Sequence, residues 1–251
     1  MAVLTRLSRF SFRRPALVLL LLGGWLAACK DTLDTPPAPT DAEQGRDFQP
    51  VAVGSFWIYD VTETYWNFNR DSVVRYQLRE RVDTVFRGAT DDVNYRIVRA
   101  RRADSSSTWR DDSSFSLVIT PRLVRRTFAN QPTVELVFPV REGSAWNPNL
   151  FNSLDSTSRT YANFDQPTTL PGGRTLARTV QVRDAGEDNI FYRREHSSTY
   201  ARAIGRISRV ARSLDFCQLN DSINTGCSTG PGYIVRGQER EEYLLDYGPR
   251  P

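Results

Sequence analysis

Chemistry in this chain would have to run through very few groups. His196 is the only histidine in 251 residues, and it stands between Glu195 and Ser197-Ser198, the residue types of a serine–histidine–acid relay. On a strand, however, successive side chains point to opposite faces, so Glu195 and Ser197 cannot share a face with His196. No Gly-x-Ser-x-Gly elbow is present to present a nucleophile. Paired acids occur at Asp91-Asp92, Asp111-Asp112 and Glu241-Glu242. Glycosidic cleavage needs two carboxylates facing each other across a bond, which spacing in sequence does not reveal. The aspartate pairs adjoin turn residues and Glu241-Glu242 follows Arg240 in the final strand, so solvated turns and surface charge explain them. There is no alternating Asp-x-Asp-x-Asp loop for calcium and no glycine-rich cradle for phosphate. The chain reads as non-catalytic and without a cofactor or metal.

The positive hint of a ligand comes from aromatic rings mixed with side-chain amides. Trp66 and Phe68 lie in Tyr65-Trp66-Asn67-Phe68-Asn69, and Trp146, Asn147 and Phe151 lie in Trp146-Asn147-Pro148-Asn149-Leu150-Phe151-Asn152. Such mixtures stack on sugar rings or anchor a protein partner. The competing explanation is that the rings are core residues at strand ends and the asparagines are turn formers.

The elements that must position these residues are strands. In Val74 to Phe86 the even positions Val74, Tyr76, Leu78, Val82 and Phe86 are apolar, and Arg75, Gln77, Arg79, Arg81 and Asp83 fill the alternate face. This period of two marks a long strand with one wet face. Val134, Leu136, Phe138 and Val140 repeat it around Glu135, and Leu176, Val180 and Val182 repeat it around Thr179 and Gln181. Ile190, Tyr192 and Tyr200 share a parity that Arg194 and His196 also share. Turn signals separate the runs at Arg87-Gly88, Ser105-Ser106-Ser107, Pro171-Gly172-Gly173 and Asp184-Ala185-Gly186. No window after Cys29 sustains a helical apolar period. The expected fold is all-β, a single antiparallel meander forming a strongly curved sheet or an open barrel over 48–251, with arginines along its outward faces.

The amino terminus fixes the setting. Arg13-Arg14 precede an apolar run that closes on Leu26-Ala27-Ala28-Cys29. This is the layout of a secretory signal over 1–28, and its end resembles a bacterial lipobox, which implies cleavage before Cys29 and lipidation there. The 14 uncharged residues from Pro15 to Ala28 are fewer than the roughly 20 that a spanning helix needs. Arg6, Arg9, Arg13 and Arg14 leave with the signal, so the 33 bases fall to 29 against 29 acids. The sequence pI of about 9.1 therefore belongs to the precursor and gives no ground for nucleic-acid binding. Residues 29–47 hold three prolines in Pro36-Pro37-Ala38-Pro39 and little to bury, as in a flexible tether. In an exported chain Cys217 and Cys227, with nine residues between them, are expected to form a disulfide. Two thiols without a neighbouring histidine are too few ligands for zinc.

One segment recurs. Pro50-Val51-Ala52-Val53-Gly54-Ser55-Phe56-Trp57 returns 89 residues later as Pro139-Val140-Arg141-Glu142-Gly143-Ser144-Ala145-Trp146, each copy a glycine turn followed by a tryptophan entering a strand. Either two related half-sheets begin this way, or glycine-serine before an inward aromatic is simply common in β-proteins. Taken with Val53-Gly54-Ser55-Phe56-Trp57-Ile58-Tyr59, the Phe138-Pro139 to Trp146-Asn147 segment and Tyr200-Ala201-Arg202-Ala203-Ile204-Gly205-Arg206-Ile207, the chain resembles a group of uncharacterised lipoproteins from Bacteroidota. Lys30-Asp31 partly resembles the signal that follows the lipidated cysteine in their surface-displayed members, although Thr32 stands where a second acid is expected. The resemblance implies an outer-membrane lipoprotein, on the periplasmic face or the cell surface, and brings no chemistry. The function expected is a non-catalytic envelope lipoprotein whose β domain cradles an amphiphilic or glycan ligand or docks on a protein. A structural subunit of an outer-membrane complex is the alternative, and a cell-envelope hydrolase a distant one.

Overall fold

Strands follow one another in the order in which the apolar alternation sets them out. A computed structural model describes residues 38–88, 91–218 and 227–249. The strands of the first half are β1 (Phe56–Asn67), β2 (Arg70–Arg87), β3 (Val93–Arg102), β4 (Arg110–Ile119), β5 (Leu123–Phe128) and β6 (Gln131–Val137). The second half contains β7 (Ala145–Trp146), β8 (Arg159–Thr169), β9 (Thr175–Asp184), β10 (Glu187–Asp188), β11 (Tyr192–Ala201), β12 (Gly205–Cys217) and β13 (Gly230–Gly248). All pairings are antiparallel in a single sheet of order β6-β5-β4-β3-β2-β1-β13-β12-β11-β9-β8-β7, with β10 beside β11. The expected meander is present, curled into a nearly closed barrel with one seam between the β6 and β7–β8 edges.

The chain thus starts in the middle of the sheet, runs out to β6, crosses the seam and works back until β13 pairs with β1 from Phe56 to Asn67. The eight-residue echo marks the start of each half, and its two copies make the same contacts. Gly54 N–H donates to Val82 O and Val82 N–H to Ser55 O; Gly143 N–H donates to Tyr161 O and Tyr161 N–H to Ser144 O. Gly54 and Gly143 have φ of 90° and 74°, a left-handed backbone that glycine adopts without a Cβ clash. Trp57 and Trp146 then each donate an indole N–H to a carbonyl, of Ile204 and Val134 respectively.

Side chains close the seam where strand pairing does not. The Tyr161 hydroxyl donates to Val137 O and accepts from Val137 N–H, both at 2.8 Å. Arg159 Nη1 donates to Val134 O at 3.0 Å, and Val134 N–H donates to Pro148 O. β6 is therefore not a bare edge.

One end of the barrel is stoppered by residues 40–48, of which 40–47 fall in the stretch expected to be a flexible tether. Thr40 caps a single helical turn, α1 (Asp41–Gln44), in a reciprocal pair of bonds with Glu43. A 3-10 turn follows at Arg46–Phe48 and buries Phe48 completely. Asp47 holds Arg202 at 2.7 Å, and Val140 N–H donates to Gln44 O. A methyl on Gly45 would lie 2.7 Å from Val140, so only glycine lets the stopper seat this closely.

The inward face is apolar toward the stopper, with Trp57, Tyr59, Leu78, Val82, Ile97, Leu136, Val180 and Tyr200 all buried. The alternation picks out Tyr76, Leu78 and Val82 correctly. Val74 and Phe86, at the two ends of the same run, are exposed; for Phe86 the reason is a bulge at Asp83, which reverses the inward parity beyond Val82. Arginine is not confined to the outside. Arg159 and Arg206 are buried within the barrel, together with Glu63, Glu80, Glu135 and Glu242.

A charged chamber inside the barrel

Strand register explains how these charges meet. Cross-strand partners share a face, so Val61, Glu242, Arg209, Ser198, Val182 and Tyr161 form one inward girdle across β1, β13, β12, β11, β9 and β8. Joined to it through Glu242, Arg99 donates to Glu80 at 2.7 Å, Glu80 also holds Arg206 at 3.1 Å, and Arg206 lies 3.0 Å from Glu242. Glu242 accepts from Arg240, which reaches Glu63 at 2.5 Å. Tyr65 and Tyr76 donate their hydroxyls to Glu63. Three arginines and three glutamates thus alternate in one balanced chain.

A second chain runs beside the seam. Asp184 grips Arg159 through both oxygens, at 2.5 and 2.9 Å. Arg159 and Arg209 flank Glu135 at 3.7 and 3.8 Å, beyond direct hydrogen bonding. Glu135 sits at an irregularity in the β5–β6 pairing, where Val124 faces Leu136 but Arg125 faces Val134. That extra residue turns its carboxylate inward. Burial pushes the Glu135 carboxyl up, but Arg159, Arg209 and Arg126 outweigh it and hold it down at about 2. Burial likewise opposes Arg206, Arg209 and Arg240 at Glu242, which settles at about 2. Glu80, against Arg206 and Arg99, ends well below the ordinary carboxylate range.

Between the two chains lies a chamber of about 40 Å³, room for roughly three waters at 10–15 Å³ each. Its charged lining comes from Glu80, Arg126, Glu135, Arg206 and Arg209, with Gln49 and Tyr200 beside them. An apolar ligand of lipid size is excluded by this volume and by the rings that fill the rest of the barrel.

The residues picked from sequence fall in different places. Cys29 and its signal lie outside the described residues, and among the described residues no helix is long and apolar enough to cross a membrane. Cys217 and Cys227 are bonded, with Cα atoms 6.2 Å apart, and the residues between them from 219 to 226 lie outside the description. Trp146 is a seam residue, its ring 4.6 Å from that of Tyr161. Asn147 is a turn former that accepts from the backbone of Asn149 and Thr157. For these two the explanation from packing and turns holds. Phe151 is exposed beside Leu150 and under the Arg125 guanidinium. Trp66 lies half-buried on the outer face and donates to Glu239.

Phe68 has neither a core nor a turn to account for it. With Asn69 it forms a two-residue hairpin tip, φ 48° and 57°, where asparagine or glycine is the unstrained choice. The ring is exposed and lines a groove with Phe191, Tyr192 and Phe216. β1 carries the chain along 12 residues from the stopper to this tip, a distance of roughly 40 Å.

His196 does meet a carboxylate, contrary to what its sequence neighbours indicate, because register brings Asp184 to it. Nδ1 lies 3.1 Å from Asp184 Oδ2, and Asp184 is also held through both oxygens by Arg159. Glu241 and Glu242 part company: Glu241 pairs outward with Arg212, whereas Glu242 is buried rather than on the surface. Among the described residues no three His, Cys, Asp or Glu side chains are grouped to hold a metal. No family model, no curated protein and no solved structure matches the chain.

Proposed function

We propose that the protein is a non-catalytic lipoprotein of a bacterial outer membrane, held by lipid on Cys29, whose barrel docks on a protein partner. Phe68 carries this reading: a bulky ring stands 38% exposed at a left-handed hairpin tip where asparagine or glycine would be unstrained. Its groove mate Phe191 is likewise exposed, with Phe216 buried at the groove floor, which gives the tip the aromatic character of an interface anchor. The tip lies at the end of the barrel opposite to where the amino-terminal segment enters, which would leave it free when the other end is tethered. Enclosure of an amphiphilic ligand is the weaker reading, since side chains occupy the interior.

Phe68→Asn tests docking without damaging the fold, because asparagine suits the left-handed backbone better. In detergent extracts of the native envelope, wild type is expected to migrate in a larger assembly on native gels, and Phe68→Asn alone, with an unchanged or higher thermal midpoint. If the variant comigrates with wild type, docking through this tip is wrong. A Cys29→Ser chain is expected to leave the membrane fraction; one that still floats with vesicles would remove the anchor.

A further inference from the structure

Charge inside the barrel does not balance. The chain from Arg99 to Glu63 is even, and so are Asp184, Arg159, Glu135 and Arg209, but Arg126 is left over. Its guanidinium stacks on Phe115 and Phe128 at 4.4 and 5.3 Å, and no carboxylate among the described residues lies within 4.0 Å of it. Burial first, then Arg209 and Arg99, pushes it down to about 10 against the more distant pull of Glu135 and Glu80. Arg126 is half-buried, and a surplus charge drawn partly out of water is costly unless something opposite meets it.

The groups that share the chamber with Arg126 have unused hydrogen-bonding capacity as well. Tyr200 is 2% exposed, and its hydroxyl has no hydrogen-bond partner among the described residues. Glu135 is 8% exposed, and its two arginines stand too far off for direct bonds. Buried polar groups are nearly always satisfied, so two such groups and a half-buried arginine converging on one chamber point to an occupant.

We propose that the chamber binds a small monoanion that carries its own hydrogen-bond donor, such as bicarbonate or a two-carbon hydroxy acid. The anionic end accepts from Arg126, Arg209 and the Tyr200 hydroxyl, and cancels the surplus charge. The donor end is needed because Glu135 presents a carboxylate to the same space and would repel a bare anion. The volume, roughly three waters, sets a limit of about three to five heavy atoms. This binding is independent of the anchor and of the Phe68 groove.

Calorimetric titration of the full chain with glycolate, bicarbonate and acetate tests the proposal. Glycolate and bicarbonate are expected to give saturable binding, and acetate, which has no donor, to bind about tenfold more weakly. Arg126→Gln is expected to unfold at the same or a higher temperature, because it removes the unpaired charge, and to lose glycolate affinity by about tenfold or more. Glu135→Gln should abolish the preference of glycolate over acetate. Absence of saturable heat from wild type with all three ligands up to about 50 mM would overturn the site, as would wild-type affinity in folded Arg126→Gln. Equal binding of acetate and glycolate by wild type would overturn the role of Glu135.

Discussion

Adjacent residues can have opposite fates, and Glu241 and Glu242 show why at the level of single side chains. Glu241 meets Arg212 in a partly solvated ladder, where an ion pair contributes roughly 0–1 kcal/mol. Glu242 is 1% exposed and sits between Arg206 and Arg240. Removing one member of a buried set leaves a charge stranded, at a cost of about 3–5 kcal/mol. Glu242→Gln is therefore expected to lower the unfolding free energy by that amount, and Glu241→Gln by under about 1 kcal/mol, both read from urea titrations. Equal losses would mean that the buried network is not what holds this region. Alternation in the sequence says that one of the two must face inward, but not that an inward carboxylate would be met. Its partner Arg206 comes from another strand, and the Arg206–Glu80 bond spans 126 residues. Much of the apolar interior was legible, as at Tyr76, Leu78 and Val82, although Val74 and Phe86 of the same run are exposed; the charged half depends on long-range register and was not.

At the level of strands, the meander and its turns could be read directly, since Tyr76, Leu78 and Val82 alternate inward as their spacing indicates. The two-residue tips Phe68-Asn69 and Ala129-Asn130, both left-handed, could not be foreseen from Phe68 and Ala129, which are poor formers of such turns. The seam was hidden too, although the repeated glycine-serine-tryptophan segment marks the start of each half. Tyr161 is the rivet, its hydroxyl serving both polar atoms of Val137. Tyr161→Phe would leave a buried N–H and C=O unmet, a loss of about 1–3 kcal/mol. Amide exchange at Val137 is expected to accelerate, while Val180, within the paired β9–β11 region, keeps its protection. Unchanged exchange at Val137 would show that backbone contacts alone hold the seam.

For the molecule as a whole, the buried carboxylates set the response to acid. Glu135 and Glu242 sit at about 2 in the folded state against 4.5 ordinarily, and Asp184 at about 2 against 3.8. Groups lowered by folding contribute fully above their unfolded values and lose that contribution as pH falls through the folded ones. The urea midpoint is thus expected to be flat from about pH 7 to 5 and to fall steeply from about 4.5 to 2; a flat profile to pH 2 would contradict the network. The pairing of β1 with β13 has a consequence for biosynthesis. β1 pairs with β2 as soon as β2 is made, but its other edge must wait for nearly the entire polypeptide before β13 exists, so the two halves of the sheet cannot be joined there while the ribosome still grips the carboxyl-terminal residues. A chain truncated before residue 230 would expose an unzipped β1 edge to proteases and to its own kind, which makes completion of synthesis a checkpoint written into the strand order.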